Sequence, residues 1–242
     1  MSLVSRHLAR HAAGRVAAAA AKAAPAATPE SLDPDYAALL EVLGADLHTL
    51  HNIQSIERKI DAKRGMIERY KDWVDGALRA GADGKAAQDD IVAAMLIWSL
   101  DIQDWTYALQ IGAHVLAHGV SLERFVKRTA GTVIAEEVAD ASIKDIDAVD
   151  HGTLVATDIL TAEQDMPDEV RAKLQRAIGC KLAAEAEAFD SESDNAPAGG
   201  KPAIMEAALT ALRRAVTLDD KVGVKKDIEK LERELKKLAP PT

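Results

Sequence analysis

Residues 87–118, AQDDIVAAMLIWSLDIQDWTYALQIGAHVLAH, leave fewer folding options than any other part of the chain. Ile91, Met95 and Trp98 recur at three- to four-residue steps and Trp105 and Leu109 at a step of four, with His114 or Leu116 farther along the same arm, a pattern that places them on one face of a helix and not alternately across a strand. Asp101 and Asp104 fall where a first arm stops and a second starts, and a short carboxylate there can accept the free N–H groups of a new first turn. Gly119 ends the second arm. The stretch reads as a helical hairpin, and two of the chain's three Trp lie in it.

With 242 residues the chain can hold one large helical domain or two small ones. Its residues are 48% hydrophobic but only 3% aromatic, so Ala and Leu must fill the core, which favours close-packed helices. The expected fold is all-α: a long N-terminal helix or helical hairpin, then a bundle of antiparallel helix pairs, partly tetratricopeptide-like. No stretch has eighteen apolar residues without a charged or polar one, so no membrane span is expected. Cys180, the single cysteine, lies between Ile178 and Leu182 and reads as a small core or near-core residue in a reducing setting.

The formal charge of −9 is unevenly spread. Residues 1–29 carry four basic residues and no acid, residues 30–82 seven against ten, residues 83–165 five against fifteen, and the remainder fourteen of each. An acidic total does not exclude a nucleic-acid partner, because charge attraction is local, within a Debye length of roughly 8 Å. The Ala-rich residues 1–34 form a basic arm containing Arg6, Arg10, Arg15 and Lys22, with His7 and His11 beside the first two. Three readings stay open for it: an arm ordered on DNA phosphates, a solvated tail, or an Arg-rich transit peptide. Pro25, Pro29 and Pro34 break any helix there.

Residues 35–82 form the long helical region. Tyr36, Leu40, Leu43, Leu47 and Leu50 follow heptad spacing; Ile53, Ile56, Ile60, Ile67, Tyr70 and Val74 resume it one residue out of phase. The slip near Gln54 predicts a bend or a change of partner. An unbroken helix over residues 35–80 would be about 65 to 70 Å long, which points to packing on another subunit. The alternative is a hairpin turning near Lys63-Arg64-Gly65. Arg58, Lys59, Lys63, Arg64, Arg69 and Lys71 lie within fourteen residues, interleaved with Glu57, Asp61, Glu68 and Asp72. They form either a solvated, self-paired face or a face that tracks phosphates.

Residues 83–189 are expected to be a helical body. Asp89 and Asp90, with Asp101 and Asp104, read as helix caps and not as a metal cluster, because the gap from Asp90 to Asp101 is three turns. Helices are expected over 122–128, 133–148 and 154–162. Glu136, Glu137, Asp140, Asp145, Asp147 and Asp150 make an acidic surface that is either solvated or turned towards a basic partner. Asp165-Met166-Pro167-Asp168-Glu169 opens a further helix. Residues 190–202 read as a flexible loop, and residues 203–242 as a C-terminal helix pair in which Ala208, Leu212, Ala215, Leu218 and Asp219 resemble a tetratricopeptide helix. No helix-turn-helix, P-loop, HNH-like cluster or compact carboxylate motif is evident, so no catalytic residue and no metal ligand is assigned.

Several stretches together carry a family resemblance. They are Arg6-His7 in the basic arm, Trp73-Val74, Ala87-Gln88-Asp89-Asp90-Ile91, Leu100-Asp101, Asp104 and Ala108-Leu109. With them go residues 165–174, DMPDEVRAKL, and the ending Gly223-Val224-Lys225-Lys226 with Leu231-Glu232-Arg233-Glu234-Leu235. In this order they resemble the terminase small subunit, often called the terminase endonuclease subunit, of peduovirus-type temperate cos-site tailed phages. The resemblance implies a DNA-packaging role in the host cytoplasm: binding the cohesive-end site of double-stranded viral DNA, forming a homo-oligomer, and presenting DNA to the large ATPase subunit. It implies no intrinsic cofactor, with Mg²⁺ required only if the chain itself cuts DNA, so enzymatic activity stays open. The chain stops at Leu238-Ala-Pro-Pro-Thr without the Lys/Arg-rich tail expected after the last helix, which counts against a C-terminal DNA contact. The other classes open to this sequence are a helical adaptor that binds a peptide in a groove and a purely structural oligomer.

Overall fold

A computed structural model describes residues 33–189 and 200–238. All regular structure among them is helical, as expected, and the described residues divide into two compact units, one up to residue 130 and one from residue 131.

The first unit opens with α1 (Pro34–Asn52), in which Asp33 caps the N-terminus by accepting the Asp35 N–H at 2.9 Å and Pro34 sits in the first turn. The helix stops at Ile53, whose backbone is extended, and the Ser55 hydroxyl accepts the Arg58 N–H at 3.3 Å to start α2 (Ile56–Ile67). The heptad slip near Gln54 therefore marks a real break. The hairpin alternative at Lys63-Arg64-Gly65 is corrected, since α2 runs through those residues. A short 3₁₀ turn (Glu68–Tyr70) leads into α3 (Lys71–Ala82). The expected single long helix is thus three helical pieces, and the heptad residues Leu43 and Leu50 are buried inside their own unit.

The hairpin of residues 87–118 is the core of this unit. It consists of α4 (Asp90–Asp101) and α5 (Trp105–His118), and α1, α2 and α3 all contact α4. Asp89 accepts the Ile91 and Val92 N–H groups, Asp104 accepts that of Tyr107, and Gly119 closes α5 at φ 65°. One detail changes. α4 is buried nearly all round, because a helix that is apolar on every side needs neighbours on every side. On α5 the buried side chains are Tyr107, Ala108, Ile111, His114 and Val115, so of the alternatives His114 and Leu116 the first faces inward, whereas Trp105, Leu109 and Leu116 are only half-buried.

Residues 122–128 do not form the expected helix. The Gln88 side-chain amide bonds both backbone groups of Ser121, at 2.8 and 3.1 Å, Leu122 is buried, and the chain makes a single turn in which Phe125 and Val126 donate to the Leu122 carbonyl. Anchoring at Gln88 outweighs the modest helical propensity of so short a segment.

The second unit contains α6 (Ala130–Lys144), α7 (His151–Thr161), α8 (Asp168–Glu187), α9 (Gly200–Leu218) and α10 (Lys225–Leu238). Asp150 caps α7. The start of α8 lies where expected, but no side chain caps it: the capping position is Pro167, so Asp165 does not serve. α8 and α9 pack along one another, and Ala172 and Ala177 of α8 and Ala208, Ala211 and Ala215 of α9 are all buried, which is the Ala-filled packing the composition implies. A Cβ on Gly179 would lie 2.6 Å from Leu212, so glycine is what lets the helices meet there. A tetratricopeptide repeat is not established by this packing. The loop expectation for residues 190–202 falls largely on residues outside those described.

Candidate nucleic-acid interface

Arg6, Arg10, Arg15 and Lys22 lie outside the described residues, which leaves the cluster between Arg58 and Lys71 for structural reading. At about 100° per residue, Arg58, Lys63 and Arg64 leave α2 in three different directions and cannot form one stripe. Four of the six bases meet carboxylates. Lys63, largely enclosed, binds Asp101 at the end of α4. Arg69 donates to Asp46 at 3.0 Å, and Asp46, buried on α1, also accepts the Tyr70 hydroxyl at 2.6 Å. Arg64 pairs with Asp61 at 3.0 Å on the surface, and Lys71 lies 3.8 Å from Glu68 with its ammonium over the Tyr107 ring.

Arg58 and Lys59 differ. Neither side chain has a carboxylate partner among the described residues, Arg58 is exposed, and both sit in the first turn of α2 beside the exposed residues Gln54 and Ser55. The start of α2 therefore combines two uncommitted cations with the positive end of a helix dipole, a combination suited to an anion.

The acids that the sequence groups together are used separately. Asp89 caps α4 and accepts the Trp73 indole N–H at 2.8 Å; burial pushes its carboxyl above the usual range against the pull of those hydrogen bonds. Asp90 pairs with Arg124, Asp101 with Lys63, and Asp104 caps α5. On the acidic surface Glu136 and Asp140 share Lys173, Asp147 faces Lys181 and Asp150 is a cap, so much of that charge is answered within the unit. Among the described residues no group of three or more His, Cys, Asp or Glu is placed to hold a metal ion, and no helix is long and apolar enough to cross a membrane. Cys180 is half-buried on α8, and burial raises its thiol pKa.

Two constellations escaped the sequence reading. Asp46 is one: it lies three residues after Leu43 and four before Leu50, on the core side of α1, and that spacing was the available signal. The other is the pairing of His114 with His118, their rings tilted at 56° with centroids 4.7 Å apart, and the lodging of His114 against Gly81 of α3, where a Cβ would fall 2.4 Å from the His114 ring.

Residues 40–169 match the family described as phage small terminase subunit. The chain is also 39% identical, over 209 residues, to the terminase endonuclease subunit of Escherichia phage P2, an alignment that covers 85% of this chain and 76% of that protein. No solved structure matches the chain.

Proposed function

The chain belongs to the phage small terminase subunit family, and on that premise we propose that it binds the cohesive-end site of concatemeric viral DNA, self-associates, and directs the large ATPase subunit to cut and package the genome in the host cytoplasm. The observation that carries the DNA-binding part is the pair Arg58 and Lys59, uncommitted and at the start of a helix while the neighbouring bases are held by carboxylates. The basic arm with Arg6, Arg10, Arg15 and Lys22 supplies further charge for phosphate.

Binding of the full chain to its cohesive-end duplex and to a scrambled duplex at two salt concentrations tests this reading. Tight binding to the cohesive-end duplex is expected, steeply weakened by salt and by Arg58→Ala/Lys59→Ala, with a further loss in an Arg6/Arg10/Arg15/Lys22→Ala variant. Absence of binding to either duplex would replace it with the adaptor reading, in which DNA is met only through the large subunit.

A second reading rests on the name of the phage P2 relative, an endonuclease subunit. In it the chain cuts the cohesive-end site itself with Mg²⁺. Mg²⁺-dependent nicking in the same reactions, with the large subunit left out, decides between direction of a nuclease and cleavage by this chain.

A further inference from the structure

The last helix carries a charge pattern that its own packing does not use. In α10, Ile228, Leu231 and Leu235 form the inward side, with Leu231 buried. Lys226, Lys230, Arg233 and Lys237 recur at steps of four, three and four, so they fall within about 60° of one another on the opposite, exposed side. Lys230 is held by Glu187 of α8. Lys226, Arg233 and Lys237 have no carboxylate partner among the described residues. Lys225 and Lys226 also occupy the first turn, where a cation opposes the helix dipole, so the stability of the helix alone would not select them.

We propose that the outward face of α10 is a second DNA contact, at which Lys226, Arg233 and Lys237 hold phosphates along one strand of a duplex. The proposal rests on the DNA-binding reading above and adds a site to it. From Lys226 to Lys237 the stripe is about 16 Å long at 1.5 Å per residue, long enough to meet several phosphates of a duplex. The stripe has no apolar residue to form the centre of a protein interface, and such centres are depleted in lysine, which favours phosphate over an acidic protein as the occupant.

The test compares the wild-type chain, Lys226→Gln/Arg233→Gln/Lys237→Gln, and a control with the same charge loss at exposed positions elsewhere, Lys85→Gln/Lys127→Gln/Lys144→Gln. Each is titrated with cohesive-end and scrambled duplexes over a range of salt and, separately, with the large ATPase subunit, with circular dichroism to confirm equal helicity. The stripe variant is expected to bind both duplexes more weakly in equal proportion, with a log affinity against log salt slope shallower by about 3. The control is expected to match wild type, and Lys226→Arg/Lys237→Arg to retain binding. A stripe variant indistinguishable from the control would overturn the contact while leaving the DNA-binding function in place. Wild-type failure on both duplexes would remove the function and this site together. A stripe variant that binds DNA normally but loses the large subunit would overturn the proposal in favour of an acidic protein partner.

Discussion

Asp46 shows how a single residue can redirect a basic cluster. Its carboxylate, buried on α1, takes hydrogen bonds from Arg69 and Tyr70, so Arg69 acts as a structural partner of the core. The Tyr70 hydroxyl is correspondingly raised in pKa, first by burial and then by the Asp46 hydrogen bond and charge. His114 presents the opposite case, a titratable group with little to stabilise its charge. Burial, and then the neighbouring His118, lower its pKa from 6.5 to about 4. Between these values the unfolded chain binds the proton and the folded one does not, so this contribution to stability is full above pH 6.5 and is lost as pH falls towards about 4. The loss amounts to at most about 3.5 kcal/mol, by the usual 1.4 kcal/mol per pKa unit. Denaturant midpoints measured from pH 7 to pH 4 should fall less steeply in His114→Gln than in wild type; parallel curves would show that His114 is not the titrating group.

At the scale of elements, punctuation decides more than propensity. The α1–α2 break follows from an extended Ile53 and a Ser55 cap, whereas Gly65, often read as a breaker, is passed through inside α2. Gly179 has a different role, since it permits the close approach of α8 and α9. In Gly179→Ala the new methyl group meets Leu212, itself fully buried, and the Ala208 carbonyl at 3.1 Å. The clash should cost about 1 to 3 kcal/mol, more than the gain of up to about 1 kcal/mol in helix propensity. A lower urea midpoint is therefore expected for Gly179→Ala, with part of it recovered in Gly179→Ala/Leu212→Val. A rise in the midpoint would mean that Leu212 can move aside.

For the molecule as a whole, the burial of Leu43 and Leu50 within their own unit removes part of the reason for self-association, since these heptad positions are already occupied, although Ile56 of the same stripe is 75% exposed. Self-association then has to use other surfaces, and Leu43→Ala should lower the stability of the first unit without selectively dissociating the assembly. Light scattering is expected to give a multiple of the monomer mass for both wild type and variant; a monomeric wild type would remove the oligomer from the proposed function. The all-α class, the central hairpin with its caps and Gly119, and the family were legible in the chain alone, because helix period, cap chemistry and long matched stretches are local properties of sequence. The partners of Lys63 and Arg69, the full burial of α4, the single turn at residues 122–128 and the freedom of Arg58 and Lys59 were decided by the tertiary structure. Each depends on which distant carboxylate, amide or apolar face is brought within contact distance, and spacing along a chain does not encode that distance.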